Sequence, residues 1–236
     1  MASASGTLEE GQVRAMFDRI ASVYDRMNAV MTAGLDRRWR VRAADLAGVG
    51  PGDRVLDVAT GTGDLALELA ARVCPSGDVI GVDFAEAMLE RARAKAGGRA
   101  GVRFEWADAL ALRYEDGSFD AATVAFGARN FSDLHRGLGE MARVVAPGGR
   151  VVVLEITTPR QPPLSWFHSV WFDRVVPRLG RLAGAADAYR YLPSSVKRFP
   201  GPDGLAAVMA EAGLERIRYV ITAGGIIALH VGEVAR

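Results

Sequence analysis

The chain has 236 residues and a formal net charge of +1, from 29 basic and 28 acidic side chains; half its residues are apolar, and one is cysteine. At about 150 residues per domain, with α/β folds reaching 250 as one unit, this predicts a single globular domain, residues 1–236, whose core needs no disulfide or metal staple. Balanced charge argues against a nonspecific nucleic-acid binder, and lone Cys74 can form neither an internal disulfide nor a cysteine zinc site, which fits a reducing cytoplasm.

The opening MASASGTLEEGQ lacks a basic region followed by an apolar stretch, so no secretory signal is expected. Val13, Met16, Phe17, Ile20, Tyr24 and Met27 recur at three- and four-residue steps, which predicts one amphipathic helix. A second helix is expected from Asp36 to Leu46, broken by Gly48, Gly50, Pro51 and Gly52. The pattern then alternates. Strands are expected at Arg54–Ala59, Val79–Val82, Val102–Trp106, Phe119–Phe126 and Val151–Ile156, and helices at Asp64–Val73, Ala85–Ala96 and Leu134–Val145. Such alternation means right-handed crossovers and a parallel sheet covered on both faces. After Ile156 it stops. Residues 157–202 are rich in Pro and aromatics and read as an insertion, as residues 1–50 read as a helical extension. A helix at Asp203–Ala212 and strands at Arg216–Thr222 and Ile226–Val231 follow. Two strands so close in sequence must be antiparallel, so one strand near the C-terminus should run against the rest. No run reaches the roughly 18 apolar residues of a membrane span. The basic residues are 27 Arg and 2 Lys, scattered rather than clustered, which reflects base composition and not a binding segment.

VLDVATGTGDLA (Val55–Ala66) carries the strongest local signal. A strand leads through a glycine turn into a helix, where backbone can approach a ligand and free N–H groups await it. Gly61-x-Gly63-x-x-Ala66 with Asp83 twenty residues on satisfies the dinucleotide pattern, in which the acid holds a ribose. S-adenosylmethionine also carries an adenosine, and Asp57 followed by x-x-x-Gly61-x-Gly63 matches the methyltransferase version. Three features favour methyl transfer. Asp108, ending the third strand, can accept from the adenine amine. The reversed strand suits a methyltransferase sheet. Finally, neither Lys95 nor Lys197 has a Tyr four residues before it, as short-chain dehydrogenases require, and no His/Cys cluster suggests a zinc dehydrogenase.

With these residues in place, the sequence resembles the C-methyltransferases of ubiquinone and menaquinone biosynthesis. The resemblance runs through MFDRIASVYDRMN (Met16–Asn28), VLDVATGTGD, GVDFAEAML (Gly81–Leu89), FDAATVAFGARN (Phe119–Asn130), EMARVVAPGGRVVVLE (Glu140–Glu155), YRYLPSS (Tyr189–Ser195), FPGPDGLAAVMAEAG (Phe199–Gly213) and GGIIALHVG (Gly224–Gly232). It implies a Rossmann-like, seven-stranded class I fold binding S-adenosylmethionine and no metal. The cofactor contacts it implies fall on Thr62, Asp83, Asp108 and Ala109. The residues themselves add Asp57, Gly61, Gly63 and Phe84, the last packing on adenine. The sequence departs from the family at Ala125 and Ala128, near the expected methyl-transfer centre.

The acceptor implied is a ring carbon of a reduced, prenylated quinone: demethylmenaquinol first, a methoxy-polyprenyl-benzoquinol as the alternative. A non-catalytic, cofactor-binding scaffold of a quinone-synthesis complex is the reading from another class. Arg129 could stabilise a developing oxyanion and Asn130 orient a hydroxyl; pairing of Arg129 with a structural carboxylate is the competing reading. Asp187, Tyr189, Arg190 and Tyr191 are further candidates. His135 and His230 read as surface and packing residues, and His168, beside two tryptophans, as the best placed of the three. Trp166, Phe167, Val170, Trp171, Val175, Val176 and Leu179 form an apolar stripe, serving as core, as a wall for a polyprenyl tail, or as a membrane-surface contact. Phe126, Trp171, Tyr189 and Tyr191 are the expected substrate residues. A cytoplasmic protein, peripheral at the inner face of the membrane, and a homodimer are both compatible with this reading.

Overall fold

A computed structural model describes residues 10–159, 161–182 and 186–236. Seven strands form one sheet: β1 (Arg54–Val58), β2 (Asp78–Asp83), β3 (Val102–Trp106), β4 (Phe119–Ala125), β5 (Val145–Ile156), β6 (Leu214–Thr222) and β7 (Ile227–Val234). Their order is β3-β2-β1-β4-β5-β7-β6. β7 pairs antiparallel with both neighbours while β1 to β5 pair parallel, so β7 is the reversed strand.

Side-chain alternation in β1 shows how both faces are covered. Val55 joins a core with Ala43, Ala44 and Ala47 of α3 (Leu35–Ala47), Leu65 and Leu69 of α4 (Asp64–Val73), and Leu89 of α5 (Glu86–Ala96). Leu56 and Val58 join the opposite core with Leu138 and Met141 of α6 (Leu134–Val144) and Leu205 and Met209 of α10 (Pro202–Glu211). Burying each such Leu or Val contributes about 1.5–3 kcal/mol. α6 starts where Asp133 accepts the N–H of Arg136 at 2.9 Å, as a capping aspartate should. It ends at Val144, and the strand begins at once: Phe119 pairs with Val145, then a register shift carries Pro147–Gly149 out before Ala121 pairs with Arg150.

One expected helix is two. The run from Val13 to Met27 divides into α1 (Glu10–Ile20) and α2 (Tyr24–Thr32). The break carries no Gly or Pro; it lets α1 lie on α5 while α2 turns onto α3. Residues 157–202 hold α7 (Leu164–Val170), a π-helical turn (Trp171–Val175), α8 (Val176–Leu182) and α9 (Ala186–Arg198). Trp171 and Val176 of the predicted stripe pack with α1, whereas Trp166 and Phe167 are exposed. The side chain of Leu179 lies outside the described set, as do residues 1–9. Among the described residues, no helix is long and apolar enough to cross a membrane.

Candidate active site

The parallel strands all end at one edge, where ligands bind in open α/β sheets. After β1 the chain turns sharply: Ala59 and Gly61 both have positive φ, and Gly63 (φ 84°) precedes α4. Asp57 pins this turn from beneath. It is 1% exposed and accepts the hydroxyls of Thr60 at 2.6 Å and Thr123 of β4 at 2.7 Å. Burial pushes its carboxyl up to about 6, against those two hydrogen bonds. Asp83, ending β2, accepts the N–H of Gly61 at 2.8 Å and of Ala85 at 2.9 Å. Burial likewise raises it to about 6.

Three spaces meet above this edge. A cleft is lined by Gly61, Asp83, Phe84, Asp108 and Ala109, with Phe17 and Tyr24 from the N-terminal helices. Sharing Tyr24, Ala59, Gly61 and Ala125 with it is a small polar recess that adds Arg40, Asp57, Thr62 and Asp64. A larger apolar cavity of about 490 Å³ is lined by Met16, Ile20, Met31, Trp39, Leu164, Trp171, Tyr189 and Tyr191, among others. Phe17, Tyr24, Phe126 and Asn130 line both the cleft and the cavity, and so form the seam.

Of the eight residues expected at the cofactor, Gly61, Asp83, Phe84, Asp108 and Ala109 line the cleft, and Asp57 and Thr62 line the recess. Gly63 lines neither. A Cβ there would lie 2.8 Å from the Phe104 ring and 3.1 Å from Ala92, so its task is to let α4 close on β3. The Thr62 hydroxyl donates to Asp25 of α2 at 2.6 Å and accepts from Lys95 at 3.0 Å, while Lys95 also meets Asp25 at 2.8 Å and Asp64 at 2.6 Å. This cluster ties α2 down over the glycine turn.

Arg129 does not face an acceptor as a free cation. Its Nη1 donates to Glu155 at 2.8 Å and to the Phe126 carbonyl, and its backbone N–H reaches Glu155 at 3.2 Å. The two side chains are 8% and 1% exposed. The competing reading, a pairing with a carboxylate, is what the structure contains. The pair holds the 3-10 turn Ala128–Asn130 behind Phe126, which itself sits at φ 59°, an outlier for a bulky residue. Asn130 is left at the seam with a buried Oδ1 that has no protein partner. The hydroxyl of Tyr189 is also buried without a partner in the cavity wall, and burial pushes its pKa up.

The histidines are elsewhere. His135 is exposed. His230 Nε2 bonds the Pro202 carbonyl at 2.9 Å. His168 is buried, stacked on Phe172 at 4.3 Å and lowered in pKa by desolvation, and does not line the cavity.

Residues 5–234 match the ubiE/COQ5 methyltransferase family. The chain belongs to that family. It is 52% identical over 220 residues to a demethylmenaquinone methyltransferase of Thermus thermophilus, covering 92% of this chain and 99% of that one. It is 48% identical to a protein of the same name from Deinococcus radiodurans (95% and 94% covered). A ubiquinone/menaquinone biosynthesis C-methyltransferase UbiE of Geobacter sp. is 41% identical (95% and 97%). Among solved structures, a SAM-dependent methyltransferase from Aquifex aeolicus aligns with TM-score 0.65 at 17% identity, over 89% of this chain and 98% of that one. The [4+2]-cyclase SpnF aligns at 0.69 and 18%, over 100% and 97%, so the fold alone does not choose a reaction.

The enzyme is an S-adenosylmethionine-dependent C-methyltransferase, and its donor set suits that molecule. Carboxylates and apolar walls in the cleft fit an adenosine. The recess sets the Arg40 cation, held by Asp36, among Asp57 and Asp64, which suits the zwitterionic methionyl end. Arg40 and Glu155 were not singled out from sequence, and Phe17 and Tyr24 only as part of a helix face. Arg40 left a signal: it falls on the buried stripe Arg40, Ala43, Ala44, Ala47 of α3, where an unpaired cation would be costly.

Proposed function

We propose that this methyltransferase alkylates a ring carbon of a reduced, prenylated quinone, demethylmenaquinol in the first instance, which would place it in menaquinone synthesis. One observation carries the reading: the orphaned Asn130 Oδ1 stands where the carboxylate-bearing cleft opens into a large apolar cavity. A quinol offers that acceptor a hydroxyl, and its tail offers the cavity a hydrocarbon.

Bound S-adenosylmethionine supplies an electrophilic methyl on a good leaving group. The protein then has to align and desolvate. Phe126, Phe17 and Tyr24 shape the passage between donor and acceptor spaces. Asn130 Oδ1 accepts the hydroxyl hydrogen beside the reacting carbon and fixes the ring. Electron density on that oxygen makes the neighbouring carbon nucleophilic, which is why the quinol and not the quinone reacts. The ring proton lost afterwards leaves through water, since no histidine stands at the seam. Trp171, Tyr189 and Tyr191 contact the tail. The enzyme is cytoplasmic on this reading and meets its acceptor at the inner face of the membrane.

An anaerobic assay with S-adenosylmethionine and two reduced acceptors, a demethylated naphthoquinol and the methoxy-benzoquinol, tests it. Carbon methylation of the naphthoquinol, located by mass spectrometry, is expected. Transfer only to the benzoquinol assigns ubiquinone synthesis instead. Transfer to neither, with cofactor binding intact, overturns the substrate.

A further inference from the structure

The apolar cavity opens onto surface that is itself apolar, on a segment that carries excess positive charge. Leu35, Leu164 and Phe167 line the cavity and are also 40%, 42% and 50% exposed. They therefore mark its mouth. Trp166, next along α7, is 70% exposed and takes no part in the cavity wall. Soluble domains seldom leave a tryptophan, a phenylalanine and two leucines together in water without a use for them. Arginines flank these residues in the sequence on both helices. Arg37 and Arg38 follow Leu35 on α3, and Arg174, Arg178 and Arg181 follow α7; all five are exposed. Charge is distributed to match. Residues 160–202 carry seven basic side chains against two acidic ones, whereas the whole chain stands at +1.

We infer that the mouth of the cavity, formed by α7 with Leu35 of α3, docks on an anionic lipid surface. Trp166 and Phe167 enter the headgroup region and the flanking arginines meet lipid phosphates. Aromatic side chains favour that interface because they are apolar bodies with a polar edge. Basic residues near an anionic leaflet each add about fivefold to partitioning. The segment does not span: α7, the π turn and α8 carry Asp173, Arg174, Arg178 and Arg181 within one stretch. It lies on the surface. The lipid assignment rests on the proposed acceptor in one respect: a mouth pressed to the bilayer lets a tail pass from lipid to cavity without crossing water. Charge asymmetry and the exposed aromatics stand without it.

The test uses the full chain and vesicles of phosphatidylcholine, with and without about one third phosphatidylglycerol. Sedimentation should show binding to the anionic vesicles that weakens as salt rises. Trp166→Ser and the double variant Arg174→Glu/Arg178→Glu should each weaken it by at least about tenfold. Affinity for S-adenosylmethionine, which none of these residues contacts, should stay within twofold and reports that the variants are folded. Because the readout is binding, it stands or falls apart from the acceptor assay. No binding by the parent chain, equal binding to neutral and anionic vesicles, or variants that bind like the parent would each overturn the inference. Self-association abolished by Trp166→Ser, without vesicle binding, would assign the face to a second copy instead.

Discussion

Removing the charge of Glu155 probes the seam most directly. Glu155 is 1% exposed and Arg129 8% exposed at their side chains, 2.8 Å apart. The carboxylate also accepts the N–H of Arg129 at 3.2 Å and of Ile156 at 2.8 Å. Glu155→Gln keeps the shape but leaves a buried guanidinium without its counter-charge and turns an amide NH2 toward its donors. Breaking a buried pair from one side costs about 3–5 kcal/mol. Because Arg129 lines the cavity and keeps 8% of its side chain exposed, this case stands near the lower bound, about 3 kcal/mol. For a chain of this size each kcal/mol moves Tm by about 2–4 °C, so a drop of roughly 6–12 °C is expected. Urea unfolding of Glu155→Gln, Arg129→Leu and the double variant Arg129→Leu/Glu155→Gln measures it as a cycle. The double variant should lose less than the two single losses added together, because no lone charge remains. A loss under about 1 kcal/mol for Glu155→Gln, or strict additivity, would refute the argument that the pair holds the Asn130 turn.

Gly63→Ala combines a left-handed backbone with a Cβ 2.8 Å from the Phe104 ring; about 1–2 kcal/mol for the first and 1–3 for the second should show in urea unfolding. Asp57 and Asp83 titrate near 6 in the folded chain, above the ordinary 3.8, so folding takes up protons between about pH 4 and 6. Their contribution is complete below pH 4, declines as pH rises and is gone above about 6; Asp57→Asn should flatten that slope in unfolding measured across pH. Lys95→Met releases α2 from Asp25, Asp64 and Thr62, and should speed cofactor dissociation several-fold in stopped flow without changing the melting curve by more than a few degrees. Trp171→Ala should raise KM for long-tailed quinols more than for short-tailed ones, and equal losses would remove it from the tail site.

The sheet was legible because most strands from Arg54 to Ile156 are short, largely apolar runs that follow a glycine, and the reversed strand followed from the brief link Ala223–Gly225. The N-terminal pair was not: no residue between Ile20 and Tyr24 breaks a helix by itself, and the division comes from what each half packs against. The cleft was half legible. Asp83 and Asp108 stand at strand ends, where sequence pattern reaches. Arg40, Phe17 and Tyr24 arrive from a distant segment, and their helical spacing marks a buried face without saying which site that face serves. Glu155 left a trace, as an acid inside the otherwise apolar run VVVLEI. Its partner lies 26 residues earlier, across the β4–β5 crossover.

The two halves of the site differ in where their walls come from. Among the described residues, none from 157–202 reaches the cleft or the polar recess, while Leu164, Phe167, Trp171, Phe172, Val176, Ala188, Tyr189, Tyr191 and Leu192 all line the apolar cavity. That segment leaves the sheet after β5 and returns before α10. One continuous stretch thus serves the cavity alone, while the rest of the cavity wall comes from the same segments that build the cleft and the recess. Exchanging 157–202 between relatives would therefore change nine positions of the cavity wall and leave every lining residue of the cleft and the recess as it is, so one part of the site is free to drift under selection without disturbing the other.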